Sequence, residues 1–198
     1  LLEEMEENGV SIAFILTLGS YITNSFVIET SEKYPQLKAV VGIEKNKSEG
    51  IRNLKEWISS GAIALKIHPN ADNETLTSPQ YKALIEIATN SGLPIILQPH
   101  NAQSRLIHGT SENWHPIQFA PWFSRYKSTQ FILAHLNLHA PQEAFQLMEQ
   151  YPNIHADISW QPAETIGEGV RRLGESRFLL GSGWPFLGNN MRVTLNRV

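Results

Sequence analysis

Seven short apolar or β-branched runs alternate with amphipathic stretches along almost the whole chain, and no other feature narrows its folding options as much. The runs are VSIAFILT (10–17), KAVVGIEK (38–45), AIALKIH (62–68), LPIILQPH (93–100), QFILAHLN (130–137), NIHADISW (153–160) and RFLLGSG (177–183). Between them lie helical patterns such as SEGIRNLKEWISSG, SPQYKALIEIATNSG, APQEAFQLMEQYP and TIGEGVRRLGE. Ser48, Ser78 and Thr165 stand where N-caps belong, and Gly61, Gly92 and Gly174 where helices stop. Strand and helix repeating at about two dozen residues or more is the mark of parallel βα units. Several runs are apolar almost throughout, as strands covered on both faces should be.

An open, doubly wound sheet competes with a closed barrel for this pattern. No GxGxxG follows any run and no GxxxxGK[ST] occurs, so the phosphate-binding loops that favour the open sheet are missing. The expected fold is therefore α/β, a (β/α)8 TIM barrel formed by residues 1–198 as a single domain. Seven strands are read, preceded by the uncapped helical stretch LLEEMEENG, so the first strand is expected upstream of Leu1.

Composition removes several function classes. With 41% hydrophobic residues among 198, the chain can bury a substantial core. A formal net charge of -3 with scattered Lys and Arg offers no field for a nucleic acid or an anionic membrane. No stretch approaches the roughly 18 apolar residues of a spanning helix, and the acidic start is unlike a signal peptide. A cytoplasmic chain with a small-molecule substrate is expected, with no nucleotide cofactor and room for a homo-oligomer. The absence of cysteine rules out thiolate nucleophiles and thiolate-bound metals.

Barrel active sites lie at the carboxyl ends of the strands. Here the runs end on Thr17, Glu44, His68, His100, His135, Asp157 and Gly183. Residues two apart in a strand share a face, which pairs Lys66 with His68, Gln98 with His100, His135 with Asn137, and His155 with Asp157 and Ser159. Imidazoles and a carboxylate meeting at one mouth suit a divalent metal or proton transfer near neutral pH. His135 stands out because it follows a wholly apolar run. Asp157 serves either as an acid–base group or as a turn cap, and Lys66 as a carboxylate binder, a barrel-lining cation or a salt-bridge partner. The long connection 101–119, carrying Arg105 and Trp114, is expected to overhang the site.

In order, LLEEMEENGVSIAFI, GAIALKIHPN, SGLPIILQPH, QFILAHLN, YPNIHADISW and RFLLGSGWPF resemble the amidohydrolase-related branch of the amidohydrolase superfamily, metal-dependent TIM-barrel hydrolases that include decarboxylases and lactonases. The resemblance implies a His-x-His on the first strand, a His on the fifth, a His on the sixth, an Asp on the eighth, and one or two metal ions, zinc or manganese, activating water. The sixth-strand His corresponds to His135. The fifth-strand His falls on Gln98, with His100 two residues on. The eighth-strand Asp falls on Gly183, where Gly-Ser leads into a turn closed by Trp184 and Pro185.

The resulting assignment is a hydrolase of a small carboxylate, amide or lactone. Its catalytic residues are His135, Asp157 and Lys66, its substrate-binding residues His68, Gln98, Arg105 and Trp114, and its metal ligands His100 and His135. The alternative is a metal-independent, lactonase-like or non-catalytic barrel that keeps the ligand pocket.

Overall fold

A computed structural model describes residues 1–18, 21–43, 50–72, 74–99, 115–185 and 191–198, with only the backbone at positions 70 and 71. Internal contacts divide the chain into two compact units, Ile12–Leu97 and Leu1–Ser11 together with Gln98–Val198.

The Ile12–Leu97 unit contains β1 (Ala13–Leu16), β2 (Leu37–Gly42), β3 (Ala64–Ile67) and β4 (Ile95–Leu97). They pair in parallel in chain order, with Ala13 opposite Leu37, Val40 opposite Ala64 and Leu65 opposite Ile95. Parallel neighbours need a crossover. Those crossovers contain α2 (Asn24–Lys33), α3 (Gly50–Ser59), and the pair α4 (Pro69–Asp72) and α5 (Pro79–Asn90). Ala39, Val40 and Val41 are fully buried, which explains why β2 reads as a continuous apolar run. Ser78 is the expected N-cap, accepting the Tyr81 N–H at 3.1 Å, and Gly61 and Gly92 follow their helices with positive φ.

Buried Asn24 fastens α2 to the end of β2. Its Nδ2 donates to the Gly42 carbonyl and its Oδ1 accepts the Gly42 N–H, both at 2.9 Å. One side chain thus satisfies both backbone groups of a strand terminus.

The second unit contains β5 (Phe131–Leu133), β6 (Ile154–Asp157) and β7 (Phe178–Leu179), again parallel, with Phe131 opposite Ile154 and Ala156 opposite Phe178. Its helices are α1 (Leu2–Glu7), α6 (Ala120–Arg125), α7 (Pro141–Gln150), α8 (Ala163–Leu173) and α9 (Met191–Leu195). Glu4 Oε1 accepts the Met191 N–H at 2.9 Å, joining α1 to α9. In the core, Phe123 meets Phe131 edge-on at 5.1 Å. Gly169 lets α8 approach closely, because a Cβ there would sit 2.7 Å from Phe178 Cζ and 2.8 Å from Phe145 Cε1. Arg177 donates to the carbonyls of Ile154, Met148 and Tyr151, anchoring β7 to the end of α7.

Two sequence expectations need correction. Thr165 lies inside α8, whose N-cap is Pro162, since proline just ahead of the helix already supplies an extended residue without an N–H. Strand β5 stops at Leu133, and the residues read as its continuation, Ala134–Asn137, leave the strand in a tight turn. Ser48 and Glu44 fall outside the described residues. Among those residues, no helix is long and apolar enough to cross a membrane.

Asn24→Ala leaves the Gly42 N–H and carbonyl without partners at a half-buried strand end. The expected destabilisation is about 3 kcal/mol, read as a lowered urea midpoint with unchanged slope. A shift within about 0.5 kcal/mol of zero would show that water replaces both bonds.

Candidate active site

Three consecutive non-glycine residues after β5 adopt left-handed conformations: His135 at φ 56°, Leu136 at 48° and Asn137 at 56°. Each costs on the order of 1 kcal/mol or more and persists only where its surroundings enforce it. Here they do. Asp157 Oδ2 accepts the His135 N–H at 2.9 Å. Buried Gln161 donates from Nε2 to the carbonyls of His135 at 2.7 Å and Leu138 at 3.0 Å. Asn137 Nδ2 donates to the Ala140 carbonyl and to Glu143 Oε2. Leu136 is fully buried. The alternation that paired His135 with Asn137 on one strand face therefore does not apply, because neither residue is in a strand.

The turn aims the His135 ring at β6. Its Nδ1 lies 2.5 Å from Ser159 Oγ, and Ser159 Oγ in turn donates to Asp157 Oδ1. The serine hydroxyl has one proton, and the carboxylate takes it, so Nδ1–H of the imidazole is the donor to Ser159. That tautomer leaves Nε2 with its lone pair. Asp157 Oδ1 also accepts the Ser159 N–H at 3.0 Å and lies 3.7 Å from His135 Nδ1. Burial pushes the Asp157 carboxyl upward, but the hydrogen bond and charge of His135, with the Ser159 hydrogen bond, outweigh it and hold the group below its ordinary value. Trp160 stacks on the His135 ring, with centroids 4.2 Å apart and planes 20° apart.

A second cluster lies at the carboxyl ends of β1, β2 and β3. A small cleft open to solvent is lined by Thr17, Gly42, Lys66, His68 and Asp72, among others. Lys66 and His68 share it, as their spacing predicts. Thr17 lines it too, with its hydroxyl donating to the Ile22 carbonyl at 2.5 Å. Asp72 Oδ2 accepts the His68 N–H and the Tyr81 hydroxyl, both at 2.9 Å. Burial raises the Asp72 carboxyl to about 6, ahead of the opposing hydrogen bonds from His68 and Tyr81 and the charge of Lys66. Sequence reasoning missed Asp72. Its one signal is the spacing of His68 and Asp72, one helical turn apart just past a strand end.

Other expected site residues fare unevenly. Gln98 is half-buried directly past β4. His155 pairs with Gln130 at 2.7 Å and takes no part in the His135 chain. His100, Arg105 and Trp114 lie outside the described residues. Trp160, which sequence reasoning did not single out, contacts His135 directly.

The described residues do not fit a divalent metal. No three of His, Asp and Glu converge among them. Asp157 uses both oxygens on protein donors, and His135 commits Nδ1 to Ser159. At position 183 the residue is glycine with φ 65°, and a Cβ there would sit 2.4 Å from Trp160 Nε1, so the indole fills the space a carboxylate would need. His135 keeps Nε2 for a metal bond, but no second and third ligand stand beside it among the described residues.

A protein-family model described as Amidohydrolase matches residues 17–191. No curated protein matches the sequence. Among solved structures, an uncharacterised TIM-barrel protein from Bordetella bronchiseptica superposes with TM-score 0.79 at 15% identity, over 98% of this chain and 72% of its own. A 5-carboxyvanillate decarboxylase from Sphingomonas paucimobilis gives TM-score 0.75 at 12% identity, over 99% and 74%. A probable 2-pyrone-4,6-dicarboxylic acid hydrolase from Acinetobacter baumannii, solved with citric acid bound, gives 0.72 at 12%, over 99% and 78%. At such identities the likeness establishes the fold, a TIM barrel of which seven parallel strands are present.

The Asp72 carboxyl makes a testable contribution to stability. Its ordinary value is 3.8 and its folded value about 6, so the folded state binds the extra proton between those limits. The contribution is fully present below about pH 4 and is lost as pH rises through about 6, by up to about 3 kcal/mol. Urea midpoints at pH 4 and pH 7.5 should therefore show Asp72→Asn gaining on the parent as pH rises. A pH-independent difference would mean that the carboxyl is well solvated.

Proposed function

The chain belongs to the amidohydrolase family, and on that premise we propose that it hydrolyses a small carboxylate-bearing lactone or amide, with His135 as the general base. The observation that carries this reading is the hydrogen-bonded chain from His135 Nδ1 through Ser159 to Asp157. It holds the imidazole in the one tautomer whose Nε2 can accept a proton. A water deprotonated by Nε2 attacks the carbonyl carbon, forming the new C–O bond. As the ring C–O or C–N bond breaks, the leaving oxygen or nitrogen takes the proton back from Nε2. During the step Asp157 stabilises the imidazolium, a pair 3.7 Å apart worth about 4 kcal/mol at an effective dielectric near 20. Its lowered pKa supports this role, since an ionised carboxylate is required.

The substrate class is supported by two fold neighbours that carry carboxylate substrates in their names, a carboxyvanillate decarboxylase and a pyrone dicarboxylic acid hydrolase. No step is assigned to a metal, because the described residues do not fit one.

Gly183 favours a second reading, a barrel that keeps its pocket without turnover, since no side chain projects at that strand end. A screen of lactones, amides and aromatic carboxylates decides between the two. The hydrolase reading expects turnover that survives a chelator and falls about 10²- to 10⁴-fold in His135→Asn. Loss of turnover to the chelator would overturn the metal-free chemistry, and inactivity across the screen would leave the non-catalytic barrel.

A further inference from the structure

Four residues within one five-residue segment hold His135 from different sides. Asp157 takes its backbone N–H, Ser159 its ring Nδ1, and Gln161 its carbonyl oxygen. Trp160, between the last two, covers the face of the ring. Trp160 itself adopts a left-handed conformation at φ 65°, and its Nε1 is buried with no hydrogen-bond partner among the described residues. A non-glycine residue in that region is strained, and a buried N–H without a partner is costly. Both costs fall on a residue, one on its backbone and one on its indole, whose described ring contact is with His135.

From this geometry we infer that Trp160 is a positioning residue for His135, and that Gly183 is glycine because the indole needs its space. The inference rests on the reading of His135 as the base. A single hydrogen bond at Nδ1 leaves an imidazole free to swing about that contact or to turn over, which would put a carbon against Ser159. A ring stacked at 4.2 Å blocks both motions. The indole can reach that place only if position 183 carries no Cβ, since one would lie 2.4, 2.7 and 2.9 Å from Nε1, Cε2 and Cζ2 of Trp160. Gly183 also sits at φ 65°, which glycine alone adopts without strain. The glycine that removes a carboxylate from one strand end thus makes room for the group that fixes the base at another.

The test is nitrogen NMR of the protein labelled at its seven histidines, with His135 assigned by the signal lost in His135→Asn. The parent should show His135 in one tautomer, protonated at Nδ1. Trp160→Leu should bring the two ring-nitrogen shifts together as the tautomers average, while Trp160→Phe, which keeps a stacking ring, should retain the parent pattern. Gly183→Ala should reproduce Trp160→Leu in the parent background and add nothing in the Trp160→Leu background. An unchanged His135 pattern in Trp160→Leu, or effects of the two substitutions that simply add, would overturn the inference. Should Trp160→Leu fail to fold, Gly183→Ala is combined with Trp160→Phe, whose smaller ring clears the methyl. Recovery of the single tautomer is then expected, and failure to recover it counts against the proposal. Turnover separates this inference from the reading it rests on. An inactive protein with a Trp160-dependent tautomer sinks only the hydrolase, whereas an active one with a Trp160-independent tautomer sinks only the positioning role.

Discussion

The Asp157 carboxylate joins the ends of β5 and β6, and the candidate active site depends on it. A carboxylate partly withdrawn from water is stabilised when its lone pairs are met by donors. Three protein groups meet them: the His135 N–H on Oδ2, and the Ser159 N–H and hydroxyl on Oδ1. Those bonds hold a left-handed turn against its own strain and orient an imidazole. The same contacts that make the carboxylate stable therefore also set the orientation of the His135 ring.

Asp72 shows what happens to the same side chain with fewer donors. It also takes a backbone N–H from a histidine past a strand end, but its second partner is the neutral hydroxyl of buried Tyr81. Burial wins there and the carboxyl rises to about 6, whereas at Asp157 the hydrogen bonds and the charge of His135 win and the carboxyl falls. Two carboxylates in related positions are thus set to opposite protonation tendencies by the number and charge of their partners.

Much of the architecture was legible in the sequence because strand and helix periodicity is local. The order and parallel pairing of the strands follow the apolar runs, and Lys66 and His68 share a cleft as their spacing two apart requires. Asp157 was legible as a strand-end carboxylate. Alternation failed at His135, because the chain leaves the strand at Leu133 and its next residues turn left-handed under constraints from β6 and the residues beyond it. Trp160 and Asp72 were missed for a related reason. Each acts through a partner 25 or 4 positions away whose orientation depends on a turn or a short helix, and no residue pattern encodes that orientation.

The sequence by itself determined the fold class, the elements and the strand ends at which chemistry can sit, since hydrophobic periodicity and the placement of Ser, Gly and Pro act over a few residues. It also showed that position 183 has no carboxylate. Only the tertiary structure decided what stands there instead. Whether a glycine leaves a gap or makes room depends on which side chain from elsewhere in the chain reaches it. Here that side chain is the Trp160 indole, brought in by the packing of residues 157–161 around His135.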